Sequence, residues 1–309
     1  MPKDIYVQAD VPDPVLGYEV VLSLARRHIP GVRAVTEVDE SGGEARTYAI
    51  DADIIFKTQR PQQLRLRTSL EKENFFLGQI AALLPGLQVP RVLGYGRESK
   101  YIEYTVMTRV PGVALRHANP DAATRLAVMR ELGSTLRHIH LLPQARLVAS
   151  GLFPGDAGSA DTRARFTELF DDSAARIGRE KRSWSLPLTP EQVGRRALAV
   201  LPDGDERVAL HSNPWHEHTF VDPASGKFTG LIDFGDSYIS HPALDLRRWR
   251  TREERAALLE GYTQQQPVSE EFMQTWLVVQ VVGNLAAIAQ SPALVPAAHA
   301  DLARLLLAL

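Results

Sequence analysis

Cysteine is absent from this 309-residue chain. Its absence excludes disulfide bonds, thiolate catalysis and cysteine-based zinc sites, and it fits a reducing compartment. A marked excess of charge is also missing, because 35 basic and 37 acidic residues give a formal net charge of −2. Nucleic-acid-binding proteins usually carry a basic excess. We therefore expect no nucleic-acid partner.

Long hydrophobic runs are missing too. Residues 1–14 lack the apolar core of a signal peptide. The longest apolar run, residues 276–287, contains Gln280, Gly283 and Asn284, and we judge it too short and too polar to span a bilayer. A composition of 44% hydrophobic and 23% charged residues is typical of a folded soluble protein. We expect a cytoplasmic protein with no membrane partner, and the sequence does not indicate its oligomeric state.

The signals for strands and helices change along the chain. Asp13-Pro14 has the pattern of a helix start, and one long helix is expected within residues 63–84, after the third of several strands. Pro111-Gly112 lies near the change to a mainly helical region, in which residues 149–161 are expected to form a long mobile loop. Strands are predicted at 34–38, 46–50, 53–57, 92–96 and 101–107, and later helices at 121–141, 162–177, 190–200, 252–264, 270–289 and 296–307.

Residues 210–246 hold a dense group of acid, base and metal-ligating side chains. The pattern predicts a short strand, a polar loop, a second strand, a turn at Ala224–Gly226, a third strand and then Asp233. Loops at strand ends commonly present functional groups on a rigid scaffold. This segment is therefore the candidate site. Its notable polar residues are His211, Asn213, His216, Glu217, His218, Asp233 and Asp236.

The same segment resembles the catalytic core of aminoglycoside phosphotransferase-like small-molecule kinases, which are similar to protein kinases. The family motif H-x-D-x-x-x-x-N corresponds to His211–His218 here, the I-D-[FW]-G step to Ile232–Gly235, and the D-P-x-x-D-L run to His241–Leu246. The resemblance implies an α+β, bilobal protein-kinase-like fold with a small antiparallel-sheet lobe containing one long helix and a larger, mostly helical lobe. It implies a nucleotide-binding lobe at residues 1–110, and a helical lobe at 111–309 with a catalytic loop at about 208–246 and the substrate pocket.

The activity implied by the resemblance is ATP- or GTP-dependent phosphorylation of a hydroxyl on a small molecule, such as an aminoglycoside-like compound, a sugar or an amino alcohol, with Mg²⁺. Lys57, at the end of an apolar strand, corresponds to the lysine that holds the nucleotide phosphates. Glu73 matches the helix glutamate that braces it, although Glu71 is close by in sequence. Phosphoryl transfer needs such positive charge on the phosphates.

Two further nucleotide-binding regions follow from the resemblance. Ser41, Gly42 and Gly43 occupy the place of the loop that covers the phosphates, where glycine lets backbone N–H groups approach an anion. An ordinary hairpin turn explains the same residues. Met107 and Arg109 lie on the strand that resembles the family's hinge, where backbone groups would meet the purine.

The metal and the structure of the catalytic loop are the last implications of the resemblance. Asp233 matches the aspartate that binds Mg²⁺, and a carboxylate suits this hard cation. His218 stands where the family has a metal-binding asparagine, and imidazole prefers softer metals. His211 and Asp245 match residues that brace the metal-binding turn and tie the backbone of the catalytic loop.

Asn213 departs from the family motif, which has a catalytic aspartate there. An amide cannot serve as a general base, and such help is worth about 10²–10⁴-fold in rate. We therefore expect activity to be weakened or abolished. An inactive natural relative, a slow enzyme and an engineered Asp→Asn replacement are all compatible with the sequence. The principal alternative is a catalytically inactive pseudo-kinase that binds nucleotide or a small ligand.

A second alternative belongs to another enzyme class. His216 and His218 alternate along the chain, so they share one face if the segment is extended. With other side chains of the segment they would provide enough ligands for a catalytic zinc site that hydrolyses its substrate. The full set would be His211, His216, His218, Asp233 and His241.

Overall fold

The computed structural model describes residues 8–40 and 42–309. Its first part is built around a five-stranded sheet with the order β1-β2-β3-β5-β4, in which all neighbouring strands are antiparallel. Helix α1 precedes the sheet and α2 is inserted between β3 and β4. The elements are α1 Tyr18–Arg26, β1 Val35–Asp39, β2 Ala45–Ile50, β3 Ile54–Gln59, α2 Leu70–Leu83, β4 Val92–Arg97 and β5 Glu103–Thr108.

The rest of the described chain is mostly helical, with short strands that carry the candidate site. The predicted α+β class, with an antiparallel sheet followed by a helical part, is confirmed. The elements are β6 Val113–Ala114, α3 Ala122–His140, α4 Gln144–Ala149, α5 Ser159–Arg179, α6 Pro190–Ala199, β7 Val208–Leu210, β8 Thr219–Val221, β9 Phe228–Leu231, β10 Tyr238–Ser240, α7 Arg252–Thr263, α8 Glu270–Gln290 and α9 Val295–Leu305.

Apolar side chains form two clusters. The smaller cluster lies between α1 and the sheet, where the ring of Phe56 stacks on Tyr104 with centroids 4.9 Å apart. The larger one fills the helical part and also takes in Phe76 and Ile80 of α2. Helix α2 therefore packs against the core of the helical part, which fixes its position relative to the catalytic segment.

Helices α3 and α7 touch through two glycines. A Cβ at Gly133 would overlap the carbonyl oxygen of Leu258, and a Cβ at Gly261 would overlap the carbonyl oxygen of Arg130. Only the smallest residue allows two helix backbones to come this close. Two turns further along α3, Nδ1 of His140 lies 2.8 Å from the Tyr262 hydroxyl on α7.

The sequence expectation about the start of the first helix is wrong. Helix α1 begins at Tyr18 and not after Asp13, because the Asp13 carboxylate instead accepts hydrogen bonds from Nε of Arg60 and the N–H of Gln62, both at 3.0 Å.

Helix α8 is long and apolar enough to cross a membrane by length and composition alone. Because most of α8 is buried inside the protein, it acts here as a core helix.

The expected mobile loop at 149–161 is shorter and is tied down. Helix α4 reaches Ala149 and α5 begins at Ser159. Between them the Asp156 N–H donates to the carbonyl of Ile239 at 2.9 Å, and the Asp156 carboxylate is bound by Arg165 at 2.6 Å. Contacts with a distant strand therefore order a segment whose composition indicated mobility.

Candidate active site

The catalytic segment has the predicted sequence of strand, loop, strand, turn and strand. Strands β8 and β9 pair antiparallel, with Thr219 opposite Leu231, and the turn between them uses Gly226 at φ 68°. Strand β6 pairs with β8 just after Gly112, where a side chain would overlap the carbonyl oxygen of Val221. The hairpin therefore places residues 211–218 and Asp233 side by side.

Lys57 connects two carboxylates at the centre of the site. Its Nζ lies 2.9 and 3.1 Å from the two oxygens of Glu73, and 2.7 Å from Oδ1 of Asp233. Burial disfavours its charge, yet Asp233 and Glu73 together raise the pKa of Lys57 above its ordinary value. Since Glu73 is buried whereas Glu71 is about half exposed and paired with Arg97, the geometry distinguishes the two neighbouring glutamates.

Asp233 is held in an uncommon backbone conformation. Its φ of 72° lies in the left-handed region, which costs a non-glycine residue about 1–3 kcal/mol and persists only when neighbours enforce it. The Phe234 ring fits edge-on against Phe76 and His211, with centroids 5.5 and 4.7 Å away. Burial opposes ionisation, but the Lys57 ammonium lowers the pKa of Asp233 well below its ordinary range.

Asp245 organises the start of the catalytic loop. It is fully buried and accepts hydrogen bonds from the N–H groups of His211 and Ser212, each at 2.7 Å, and from Nε2 of His140 at 3.0 Å. Burial would raise its pKa, but the hydrogen bonds from His140 and the loop backbone lower it overall. Ser212 has a φ of 83°, so the carboxylate also stabilises a strained turn.

His211 joins the catalytic loop to the strand before Asp233. Its Nε2 donates to the carbonyl of Ile232 at 2.8 Å, and its Nδ1 accepts from the N–H of Asn213 at 3.2 Å. These two bonds define a neutral ring with the proton on Nε2. Burial lowers the pKa of His211 to about 4, which agrees with that tautomer.

Asn213 and His218 lie at the mouth of the loop. Oδ1 of Asn213 is buried and has no hydrogen-bond partner among the residues described. Nδ1 of His218 donates to the Asn213 carbonyl at 2.8 Å, and Nε2 lies 3.3 Å from Oδ2 of Asp233. If the ring is neutral, its proton is on Nδ1, and the Nε2 lone pair faces the same space as the Asp233 carboxylate. These two groups fit a divalent cation of intermediate softness.

The glycine loop is only partly described, because Ser41 lies outside the described residues. The Gly42 carbonyl accepts from Nη1 of Arg60 at 3.2 Å, and a Cβ at Gly43 would be 3.6 Å from the Gln63 side chain, which is ordinary contact. Neither glycine has a positive φ, but a Cβ at Gly42 would lie 3.3 Å from the carbonyl oxygen of Ala45, which is a tight contact. A role for Ser41, Gly42 and Gly43 at phosphates stays a prediction.

The hinge strand corrects one detail of the sequence analysis. Met107 is buried in β5 opposite Ile55, and the Arg109 N–H donates to the carbonyl of Asp53 at 2.6 Å. That N–H is therefore occupied and does not point to a purine. Within residues 8–40 and 42–309, the N–H of Val110 has no hydrogen-bond partner, and it follows directly along the chain.

The zinc hypothesis does not fit the arrangement of its residues. His216 pairs with Glu217 at 3.0 Å, and His241 lies against Phe272 and caps the turn at Ala243 through Nδ1. In the part of the chain that the structure describes, no three His, Asp or Glu side chains are grouped to hold a metal ion. The proposed set of five is therefore not assembled.

Sequence reasoning missed the environment of Asp236. Its place in the turn after Asp233 suggests a solvated or capping residue, but it is buried and accepts hydrogen bonds from Arg65 at 2.7 Å and Thr68 at 2.5 Å. Lys72 nearby is fully buried and donates to the carbonyls of Arg67 and Ser237.

A two-part fold with a lysine, a helix glutamate and an aspartate meeting beside a hairpin is the arrangement of the protein-kinase-like class. The family model described as "Phosphotransferase enzyme family" (APH) matches residues 35–276, which is more than half of the chain. The chain belongs to this family. The resemblance to aminoglycoside phosphotransferase-like kinases and the protein-kinase-like fold are thereby confirmed.

Individual relatives are more distant. An aminoglycoside 3'-phosphotransferase from Streptomyces fradiae is 27% identical over 150 residues, which are 48% of this chain and 53% of the relative. The chain thus spans about half the length of the curated relative it matches. Among solved structures, a macrolide 2'-phosphotransferase type I has a TM-score of 0.58 at 18% identity, over 92% of this chain and 95% of that one. The GDP complex of an aminoglycoside 2'-phosphotransferase-IIIa has a TM-score of 0.58 at 14% identity, over 94% and 97%. These structural similarities show the fold alone.

Proposed function

We propose that this protein transfers the terminal phosphoryl group of ATP or GTP to a hydroxyl of a small molecule. The observation that supports the proposal best is the contact of Lys57 with both Glu73 and Asp233, at 2.9 and 2.7 Å. Phosphoryl transfer depends mainly on positioning and charge stabilisation, which a fixed ammonium beside a carboxylate provides. In our proposal residues 1–110 hold the nucleotide, and residues 111–309 hold the acceptor.

Each side chain of the site has a defined part in this proposal. Lys57 would bind nucleotide phosphates while Glu73 holds its ammonium in place. Asp233, with His218 beside it, would hold magnesium, which when bound neutralises charge on the phosphates. The free N–H of Val110 would meet the edge of the purine. The names of similar structures include GDP and ATP complexes of aminoglycoside phosphotransferases, which supports a nucleotide in this place.

Asn213 supports a second candidate, a nucleotide-binding protein without turnover. It occupies the position of the family's catalytic aspartate, and an amide cannot take a proton from the acceptor hydroxyl. With a loose transition state the proton moves late, so the loss of a base slows transfer without removing the other contributions. We therefore propose a slow phosphotransferase as the primary function and a pseudo-kinase as the alternative.

Calorimetric titration with ATP and GTP, with and without Mg²⁺, tests the nucleotide site. We expect saturable binding that depends on magnesium and is lost in Lys57→Ala. Lys100→Ala is the matched control, because Lys100 is exposed and only contacts the ring of Tyr101. Absence of binding by the unmodified protein under every metal condition would contradict both the active enzyme and the nucleotide-binding pseudo-kinase.

A further inference from the structure

Several positive side chains surround Asp236, next to the candidate active site. Nη2 of Arg65 lies 2.7 Å and Nη2 of Arg67 lies 3.7 Å from the same carboxylate oxygen of Asp236. Thr68 donates a hydrogen bond to the other oxygen at 2.5 Å. The Asp236 carboxylate therefore lies beside two guanidinium groups and also accepts from Thr68, so it has little capacity to accept further hydrogen bonds.

Lys72 adds a buried positive charge to this region. Arg65 also pairs with Glu44, whereas within the described residues the hydrogen bonds of the buried Lys72 ammonium go to backbone carbonyls, among them that of Ser237 at 2.5 Å. Burial lowers the pKa of Lys72 to about 8, and Asp236 and Arg67 act on it with opposite signs. Asp236 and Glu73 are the carboxylates whose charges favour the Lys72 ammonium, but within the described residues neither is hydrogen-bonded to it.

Arg248 is the positive side chain near Asp236 that has the fewest polar partners. Within the described ranges, its guanidinium has neither a hydrogen bond nor an ion pair, and its Nε is buried without a partner. Nε of Arg67 is buried and unpaired as well. Burial lowers the pKa of Arg248 to about 10; the charges of Arg247 and Arg67 act in the same direction, and Tyr238 and Asp236 oppose them. A guanidinium taken out of water without a hydrogen-bonded counter-ion is costly, so a bound anion would stabilise Arg248.

The cluster adjoins the turn that presents Asp233. Asp236 follows three residues later, and the N–H of Ser69 donates to the Gly235 carbonyl at 3.2 Å. An anion beside Arg67 and Arg248 would therefore lie next to the metal-binding aspartate. Guanidinium groups bind planar or tetrahedral oxyanions through paired hydrogen bonds.

We propose that Arg67 and Arg248 bind an oxyanion of the acceptor, and that the acceptor is a hydroxylated carboxylic acid or phosphate ester. This inference rests on the proposed phosphotransferase function. It predicts discrimination against polycationic acceptors, which would bring further positive charge to an already positive surface.

Titration with inorganic phosphate at constant ionic strength tests the anion site without nucleotide. We expect Arg248→Gln and Arg67→Gln each to bind phosphate about tenfold or more weakly than the unmodified protein, since a charge-assisted hydrogen bond is lost. Arg252→Gln is the matched control, because Arg252 is exposed at the start of α7. Lys57→Ala should keep phosphate binding. Unchanged binding in both arginine variants, or its loss in Lys57→Ala, would overturn the proposal.

A second measurement distinguishes an oxyanion of the acceptor from the terminal phosphate of the nucleotide. If the oxyanion belongs to the acceptor, phosphate binding persists when the protein is saturated with Mg-ATP, and Arg248→Gln binds Mg-ATP normally. Competition between phosphate and Mg-ATP, together with weaker Mg-ATP binding by Arg248→Gln, would place the nucleotide's terminal phosphate at these arginines and overturn the acceptor assignment. Failure of the unmodified protein to bind nucleotide would count against the phosphotransferase function, and the phosphate titration would still decide the anion site. Thermal unfolding checks that each variant is folded. If one of the two arginine variants does not fold, phosphate binding by the other variant is sufficient to decide the proposal.

Discussion

Oε1 of Glu73 accepts a hydrogen bond from the backbone N–H of Phe234 at 3.1 Å. The same carboxylate binds the Lys57 ammonium, so one buried glutamate joins α2, strand β3 and the turn that follows Asp233. The alignment of the site therefore depends on the position of α2 as much as on the catalytic segment.

Glu73→Gln should weaken Mg-nucleotide binding by about tenfold to a hundredfold. The amide keeps an acceptor for the Phe234 N–H, but the charge-assisted bond to Lys57 is lost, and the ammonium stays on Asp233, where it competes with the metal. Calorimetry measures the change. Glu71→Gln, two residues away on the exposed side of α2, should bind nucleotide normally. Equal losses in the two variants would show that the buried contact is not what matters.

Asn213→Asp should raise phosphoryl transfer by about 10²–10⁴-fold, because a carboxylate can accept the proton of the acceptor hydroxyl. Release of ADP or GDP in the presence of a panel of hydroxylated acids and sugars measures the gain. Asn213→Ser removes the amide without adding a base and should show no increase. If Asn213→Asp gains nothing with any acceptor while still binding nucleotide, the pseudo-kinase function is the better description.

His218→Asn should change the preferred metal. The imidazole beside Asp233 favours Mn²⁺ over Mg²⁺ relative to an amide oxygen, so the substitution should shift the ratio of the two affinities towards Mg²⁺, on the order of tenfold. Nucleotide titrations in each metal measure this ratio. His216→Asn, on the same loop but paired with Glu217, should leave the ratio unchanged. An identical ratio in all three proteins would mean that His218 does not approach the metal.

His241→Asn should make the protein less sensitive to mild acid. Burial, with a smaller effect from the His140 charge, lowers the pKa of His241 to about 4, so the unfolded state binds the proton first as the pH falls. Stability from the neutral ring is present above about pH 6.5 and is lost towards pH 4. Asparagine can still accept from the Ala243 N–H but does not titrate.

Urea unfolding at about pH 7 and about pH 5 measures this difference. Between those values the free energy of unfolding should fall about 2 kcal/mol less in His241→Asn than in the unmodified protein. Glu206 lies 3.9 Å from Nε2 of His241 and would reduce the effect by favouring the charged ring. His117→Asn, an exposed control, should follow the unmodified protein. A similar pH dependence for all three would show that His241 is protonated in the folded state.

Much of the fold could be predicted because its signals are local. A run of apolar residues before Lys57 indicated β3, and the pattern around Asp233 predicted the order of strands in the catalytic hairpin. The errors have long-range causes. Asp13 was assigned as a helix cap because nothing near it in sequence shows that its partner is Arg60, and Asp236 gave no sign of Arg65, 171 residues away.

At the candidate site, too, the features with a local sequence signal could be predicted and those that depend on distant residues could not. The pairing of Lys57 with a glutamate followed from the family motif, whereas the choice between Glu71 and Glu73 required the burial of one of them. The occupied N–H of Arg109 depends on Asp53 of a neighbouring strand. Arg248 looked like an ordinary charge in an arginine-rich segment, and only its burial without a partner distinguishes it.

The paired glycines between α3 and α7 have a consequence for mutational tolerance. Gly261 directly precedes Tyr262, whose hydroxyl meets His140, and His140 in turn holds the carboxylate that binds the N–H groups of the catalytic loop. An extra methyl group at Gly133 or Gly261 would separate the helices and disturb this chain of hydrogen bonds on the side away from the candidate site. Such changes would disturb the catalytic loop from outside the candidate site, whereas side chains at the site could vary without affecting this contact. In the proposed phosphotransferase, a change of acceptor specificity would therefore have to preserve this remote contact between two backbones.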